Sequence, residues 1–179
     1  MIKPTKRVTI YTDGACLGNP GPGGYGVVLV YATHRREISG GFRLTTNNRM
    51  EITAAIVGLS ALKTECTVTV YSDSQYLVLA MKQGWVSRWR ANNWKRNRKE
   101  KAVNVDLWEQ LLQLCDRHQI SFSWVPGHSG ITENERCDQL SLSAAQRSDL
   151  PPDPGYQEDA ARSLEGSSQP TNQYLDANS

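Results

Sequence analysis

Alternating and β-branched runs at about 6–13, 24–33 and 36–45 have the two-residue period of strands. Short turns separate them, Gly21-Pro22-Gly23-Gly24 and then Thr33 to Arg35, and together they predict an antiparallel meander. From Asn48 the apolar period lengthens to that of a helix. Ile52, Ala55, Ile56, Leu59 and Leu62 form one stripe, so this segment is expected to pack on the sheet. A strand at 67–73, a helix near 74–83, a basic Trp-rich segment at 84–101, a helix near 104–118, a strand at 121–125 and a last helix near 132–147 follow. Hairpin-linked strands followed by strand–helix alternation predict an α/β chain with a five-stranded mixed sheet. Three strands run antiparallel, the rest become parallel through crossovers, and the first and fourth strands lie side by side.

Two of these strands echo each other. Val8-Thr9-Ile10-Tyr11-Thr12-Asp13 and Val68-Thr69-Val70-Tyr71-Ser72-Asp73 are each a β-branched and aromatic run that is expected to end on an aspartate. Parallel neighbours lie about 5 Å apart, so both carboxylates would leave one sheet edge on one face. Two uncompensated anions there repel, and a divalent metal between them is the natural remedy.

Charge and composition narrow the partners. The net +2 is uneven: from 151 onward five acids stand against one base, which puts −4 on that stretch and leaves +6 on residues 1–150. Arg88, Arg90, Lys95, Arg96, Arg98, Lys99 and Lys101 form a dense cluster, which suits a polyanionic partner. Cys16, Cys66, Cys115 and Cys137 form no CxxC pair, so zinc spacing is missing and a reducing cytoplasm is expected. No apolar run approaches the roughly 20 residues of a membrane span, and the N-terminus lacks a signal peptide's apolar region. One folded domain over 1–150 is expected. The stretch 151–179 opens on Pro151-Pro152-Asp153-Pro154-Gly155 and is rich in Ser, Asn, Gln and acids, so it is expected to be a mostly disordered acidic tail.

Each candidate residue also has an ordinary structural explanation. Asp13-Gly14 is a turn signal, and Asp73 could cap the following helix. Glu51 stands three residues after Asn48, the spacing of a capping box, yet it also heads the row Glu51, Ala55, Gly58, Leu62 that lies beside the apolar stripe. Asp138 reads as a solvated helix charge, and Thr132 with Glu135 as a capping box. His128 sits in the loop Pro126-Gly127-His128-Ser129-Gly130, either as a surface residue or as a proton relay beside a metal site. Trp85, Trp89 and Trp94 interleave with the cations. They either fill the core from an amphipathic helix or, with Lys95 and Arg96, contact phosphates. Gly18-Asn19-Pro20-Gly21-Pro22-Gly23-Gly24 lies between two strands and opens no helix, so it is no dinucleotide fingerprint.

Taken in order, Tyr11-Thr12-Asp13-Gly14, Gly18-Asn19-Pro20-Gly21, Thr45-Thr46-Asn47-Asn48-Arg49-Met50-Glu51, Ser72-Asp73-Ser74-Gln75-Tyr76, Asn104-Val105-Asp106-Leu107-Trp108, Gly127-His128 and Glu133-Asn134-Glu135-Arg136-Cys137-Asp138 resemble bacterial ribonuclease H of type I, from about residue 7 to 147. The resemblance implies the ribonuclease H-like fold, with helices on both faces of the sheet. It also implies hydrolysis of the RNA strand of RNA/DNA hybrids. Asp13, Glu51, Asp73 and Asp138 are the implied metal-binding set, and His128 the mobile histidine. Segment 84–101 is the implied basic protrusion that grips the DNA strand. Asn19, Asn48 and Gln75 match minor-groove contacts, and Thr46 part of a DNA-phosphate pocket.

The mechanism implied uses two Mg²⁺ ions, with Mn²⁺ as the alternative, and leaves 5′-phosphate and 3′-hydroxyl ends. Asp13 would bridge both ions, Asp138 would complete the one that activates water, and Glu51 and Asp73 would hold the one at the leaving oxygen. A monomer is expected. The competing readings are a same-fold nuclease or strand-transfer enzyme acting on DNA, and a hybrid-binding module without catalysis.

Overall fold

The computed structural model describes residues 5–157. Its sheet has five strands in the order β3-β2-β1-β4-β5. These are β1 (Lys6–Cys16), β2 (Gly21–Tyr31), β3 (His34–Thr45), β4 (Cys66–Ser72) and β5 (Gln119–Trp124). The helices are α1 (Asn47–Ser60), α2 (Gln75–Lys82), α3 (Trp85–Ala91), α4 (Val105–Cys115) and α5 (Thr132–Ala145). β1, β2 and β3 form the antiparallel meander, whereas β4 and β5 run parallel to β1. The echo is literal in the register: Val8 lies opposite Val68, Tyr11 opposite Tyr71 and Thr12 opposite Ser72.

Helices cover both faces. A Cβ on Gly26 would collide with the Cys137 carbonyl of α5, while one on Gly58 of α1 would meet Ile10 and Val27. Gly26 and Val27 are consecutive strand residues and so point to opposite faces, which places α5 and α1 on opposite sides. Between the sheet and the α1–α4 side lies a core containing Ile10, Val27, Ile52, Leu59, Val68, Val70, Leu77, Trp108 and Leu111, all buried. On the other side Arg136 makes a paired contact with Glu37, and Arg35 reaches Glu133, tying α5 to β3. These pairs lie at the surface, within reach of solvent, so they orient α5 more than they stabilise the fold.

Several sequence expectations change. β1 does not end at Asp13. It continues to Cys16 because β2 pairs with it, Asp13 opposite Gly26, so Asp13 is a mid-strand residue and not a turn. The first turn is at Leu17–Pro20, and Gly21–Gly24 belongs to β2. The second hairpin turns at Ala32-Thr33, where Ala32 has a positive φ. α1 is capped by Thr46, whose hydroxyl accepts from the Arg49 N–H, and not by Asn48. α2 is capped by Ser74 and not by Asp73. Thr132 makes no side-chain cap on α5, although Glu135 does accept from the Gly130 N–H. For Asp13, Glu51 and Asp73 these changes remove the turn or capping role that offered an ordinary explanation.

The packed body also runs past Leu150. The Pro151 carbonyl accepts from the Arg43 N–H, Asp153 is buried, and Pro154–Gln157 form a helical turn. The remainder of the expected tail, 158–179, lies outside the described residues.

Candidate active site

Three elements meet at one point. β1 supplies Asp13, the first turns of α1 supply Glu51, and the residue after β4 supplies Asp73. Each offers a carboxylate oxygen, and these three oxygens lie within 4.8 Å of one another. Gly14 allows this approach. Its missing Cβ leaves room for the backbone of Met50 and Glu51, so α1 can lie directly on β1.

Burial makes the cluster electrostatically costly. Asp13 is 5% exposed and Glu51 4%. Burial first, then the charges of Asp73 and Asp138, push the Asp13 carboxyl up to about 8, against the partial relief of the Gly14 N–H and of Glu51. Glu51 is raised well above the ordinary carboxylate range, chiefly by burial and then by Asp13 and Asp73. Its Oε2 has no hydrogen-bond partner among the described residues. A buried, unpartnered carboxylate oxygen beside two others is a state a protein rarely leaves uncompensated. Hard oxygen donors converging in this way suit a divalent cation, so the residues present fit a metal.

Asp138 is half-buried on α5 and stands outside the group of three. Its charge still bears on Asp13, and by register Asp13 shares the sheet face that α5 covers. The loop after β5 closes the site from another side. The Trp124 indole N–H donates to the Asp73 carbonyl at 3.1 Å, and a Cβ on Gly127 would sit 2.8 Å from an Asp73 oxygen. His128 follows immediately, exposed and with a φ of 53°. Nothing in the sequence singled out Trp124 or Gly127 as neighbours of Asp73. The only signal was that Gly127 belongs to the loop carrying His128 and Trp124 ends the strand before it.

The other candidates divide into two groups. Asn19, Thr46 and Asn48 gather at the start of α1, and Gln75 opens α2 two residues after Asp73: the Asn19 side-chain oxygen accepts from the Asn47 N–H, and Thr46 caps α1. Asn48 and Gln75 are exposed. Trp85, Trp89 and Trp94 are half-buried and pack against the core. The Trp89 ring meets Trp108 edge-on at 6.4 Å, and the Arg96 guanidinium lies 6.0 Å from the Trp89 ring centre on another side. The tryptophans therefore serve as the footing of the protrusion, while Lys95 and Arg96 stay exposed.

The mixed sheet with helices on both faces and a largely buried carboxylate triad at the β1–β4 junction defines an α/β protein with a site that fits a divalent ion. A model of the RNase H family matches residues 5–146. Ribonuclease H of Syntrophus aciditrophicus is 70% identical over 153 residues, covering 86% of this chain and 88% of that one. Ribonuclease H of Trichodesmium erythraeum is 59% identical, covering 88% of this chain and 100% of that one. Among solved structures, LC9-RNase H1, a type 1 RNase H with the type 2 active-site motif, aligns with a TM-score of 0.70 at 34% identity, covering 97% of this chain and 90% of the other. LC11-RNase H1, solved with an RNA/DNA hybrid, aligns at 0.60 and 25% identity, covering 77% and 96%. The chain belongs to the RNase H family.

Proposed function

We propose that this chain hydrolyses the RNA strand of RNA/DNA hybrids at the carboxylate cluster, leaving 5′-phosphate and 3′-hydroxyl ends. The observation that carries this reading is the convergence of Asp13, Glu51 and Asp73 with the unpartnered Glu51 oxygen. These three would hold the metal, with Asp138 as the fourth ligand from α5. When bound, divalent ions supply an activated water and charge stabilisation for the leaving oxygen. Mg²⁺ is the proposed ion, on the all-oxygen donor set.

The remaining roles belong to the chain's own groups. Asn19, Asn48 and Gln75 would read sugar edges in the minor groove, where 2′-hydroxyls distinguish RNA from DNA. Thr46 would contact a DNA phosphate. Trp85, Trp89 and Trp94 would hold the protrusion in shape, and Lys95 and Arg96 would draw in the phosphate backbone. His128, exposed on the loop beside Asp73, would accept or return a proton at its imidazole as product leaves. We also propose action in the cytoplasm, on the four free cysteines, and a monomeric state. No helix among the described residues is long and apolar enough to cross a membrane.

The test uses one labelled sequence presented as hybrid, duplex DNA, duplex RNA and branched DNA, each with Mg²⁺. Cleavage confined to the RNA of the hybrid is expected. Cleavage of branched DNA supports the rival same-fold nuclease, and binding without turnover supports the catalytically silent module.

A further inference from the structure

Arg49 lies one residue after Asn48 and two before Glu51, yet its side chain is buried, with 1% of the residue exposed. A guanidinium has five N–H donors, and here all five are used. Nε and Nη2 donate to the two oxygens of Asp153, Nη1 and Nη2 to the two oxygens of Asp106, and Nη1 also to the Asn104 side-chain oxygen. Asp153 Oδ2 does a second job. It accepts from the Thr45 hydroxyl at 2.7 Å and from Arg49 Nε at 2.7 Å.

Thr45 is the last residue of β3, and Arg49 lies in the first turn of α1. One carboxylate oxygen therefore holds both ends of the turn that carries Thr46, Asn47 and Asn48. The segment bearing Asp153 is itself anchored through the Pro151–Arg43 backbone bond. Asp153 is 3% exposed, so this is a dry, bidentate contact of the kind that fixes geometry. An exposed ion pair would contribute little by comparison.

We propose that Asp153 is a positioning residue for hybrid binding: from beyond residues 5–146 that the family model matches, it sets the turn that presents Thr46 and Asn48 to the nucleic acid. This rests on the function proposed above. Asp153 does not touch the carboxylate cluster, so its loss acts on substrate binding and leaves the chemical step nearly intact. A group needed only for folding would instead lower the folded fraction, reducing apparent kcat at constant KM.

The experiment is steady-state hybrid cleavage by the full chain and by Asp153→Asn, well below their unfolding temperatures and with the folded fraction measured. KM is expected to rise about fivefold or more, with kcat within about twofold. Thr45→Val removes only the hydroxyl that shares Oδ2. It is expected to raise KM in the same direction, and the double variant should be little worse than Asp153→Asn alone. If Asp153→Asn does not fold, Thr45→Val decides the matter by the same KM criterion. An unchanged KM in the folded variants, or a fall in kcat alone, overturns the proposal while the parent still cleaves the hybrid. A parent that cleaves no hybrid overturns the functional reading and this proposal with it.

Discussion

Asp13 and Asp73 each stand one residue beyond Thr12 and Ser72, the last matched pair of the parallel strands β1 and β4. The register alone brings two carboxylates to neighbouring positions, and α1 adds Glu51 within 4.8 Å of both. Because Asp13 is also paired with β2, it cannot swing away from its neighbours. The repulsion is built into the sheet.

Stability without metal should depend on pH through Asp13. Its folded value of about 8 is raised above an ordinary carboxylate near 3.9. The contribution of the protonated form is fully present below about pH 4 and is lost as pH rises through about 8. Asp13→Asn should therefore become progressively more stable than the parent between pH 5 and 8 and level off above that, when both are unfolded thermally in EDTA. A difference that stays flat or shrinks with rising pH contradicts the electrostatic account. Metal binding needs deprotonated ligands, so the thermal stabilisation of the parent by Mg²⁺ should be larger at pH 8 than at pH 5.

Gly26→Ala should disturb the site from a distance. The added Cβ would collide with the Cys137 carbonyl and press on Leu140 and Ser141, so α5 must move away from β2. Overpacking of this kind costs about 1–3 kcal/mol, measurable by urea unfolding. Because α5 carries Asp138, hybrid cleavage should fall even where the variant is fully folded. Unchanged cleavage by a folded Gly26→Ala protein would separate Asp138 from the reaction.

The protrusion should divide into a packing part and a binding part. Trp89→Ala removes the edge contact with Trp108 and the surface beside Arg96, and should cost about 2–3 kcal/mol of stability, less than a fully buried Trp. Lys95→Ala should leave stability within about 0.5 kcal/mol but weaken hybrid binding, reducing the salt slope by about one. Binding isotherms at several salt concentrations check this. A Lys95→Ala slope equal to the parent's would remove the protrusion from the interface.

What could be read ahead of the structure was whatever has a local period. The β-branched repeats predicted both β1 and β4, and the 3.6-residue stripe through Ile52, Ile56 and Leu59 predicted α1. The end of β1 was misplaced because Gly14 and Ala15 have little strand propensity of their own. They are held extended by pairing with Tyr25 and Gly24. Caps shifted by a residue or two for a similar reason: Thr46 and Ser74 are as good candidates as Asn48 and Asp73 until the backbone angles are known. Asp153 could not be found this way. Its partner Arg49 is 104 residues distant, and Pro-Pro-Asp-Pro-Gly has the composition of a loop. Asp138 stood out by family resemblance alone, and His128 only as one of two readings of a loop residue, since a helix charge and a loop histidine have no period to betray them.

Titrating Mg²⁺ into single-turnover cleavage of a strand-labelled hybrid asks whether the carboxylates of Asp13, Glu51 and Asp73 hold the metal on which RNA cleavage depends. The parent, Asp13→Asn and His128→Ala are compared in parallel. The parent should show saturable Mg²⁺ dependence with the RNA strand alone cut, and His128→Ala should lose far less activity than Asp13→Asn. Asp13→Asn should lose at least about 100-fold, the order expected when charge stabilisation at a reacting centre is removed. Near-parental cleavage by Asp13→Asn at any Mg²⁺ concentration would mean that these carboxylates do not hold the metal that cleavage needs.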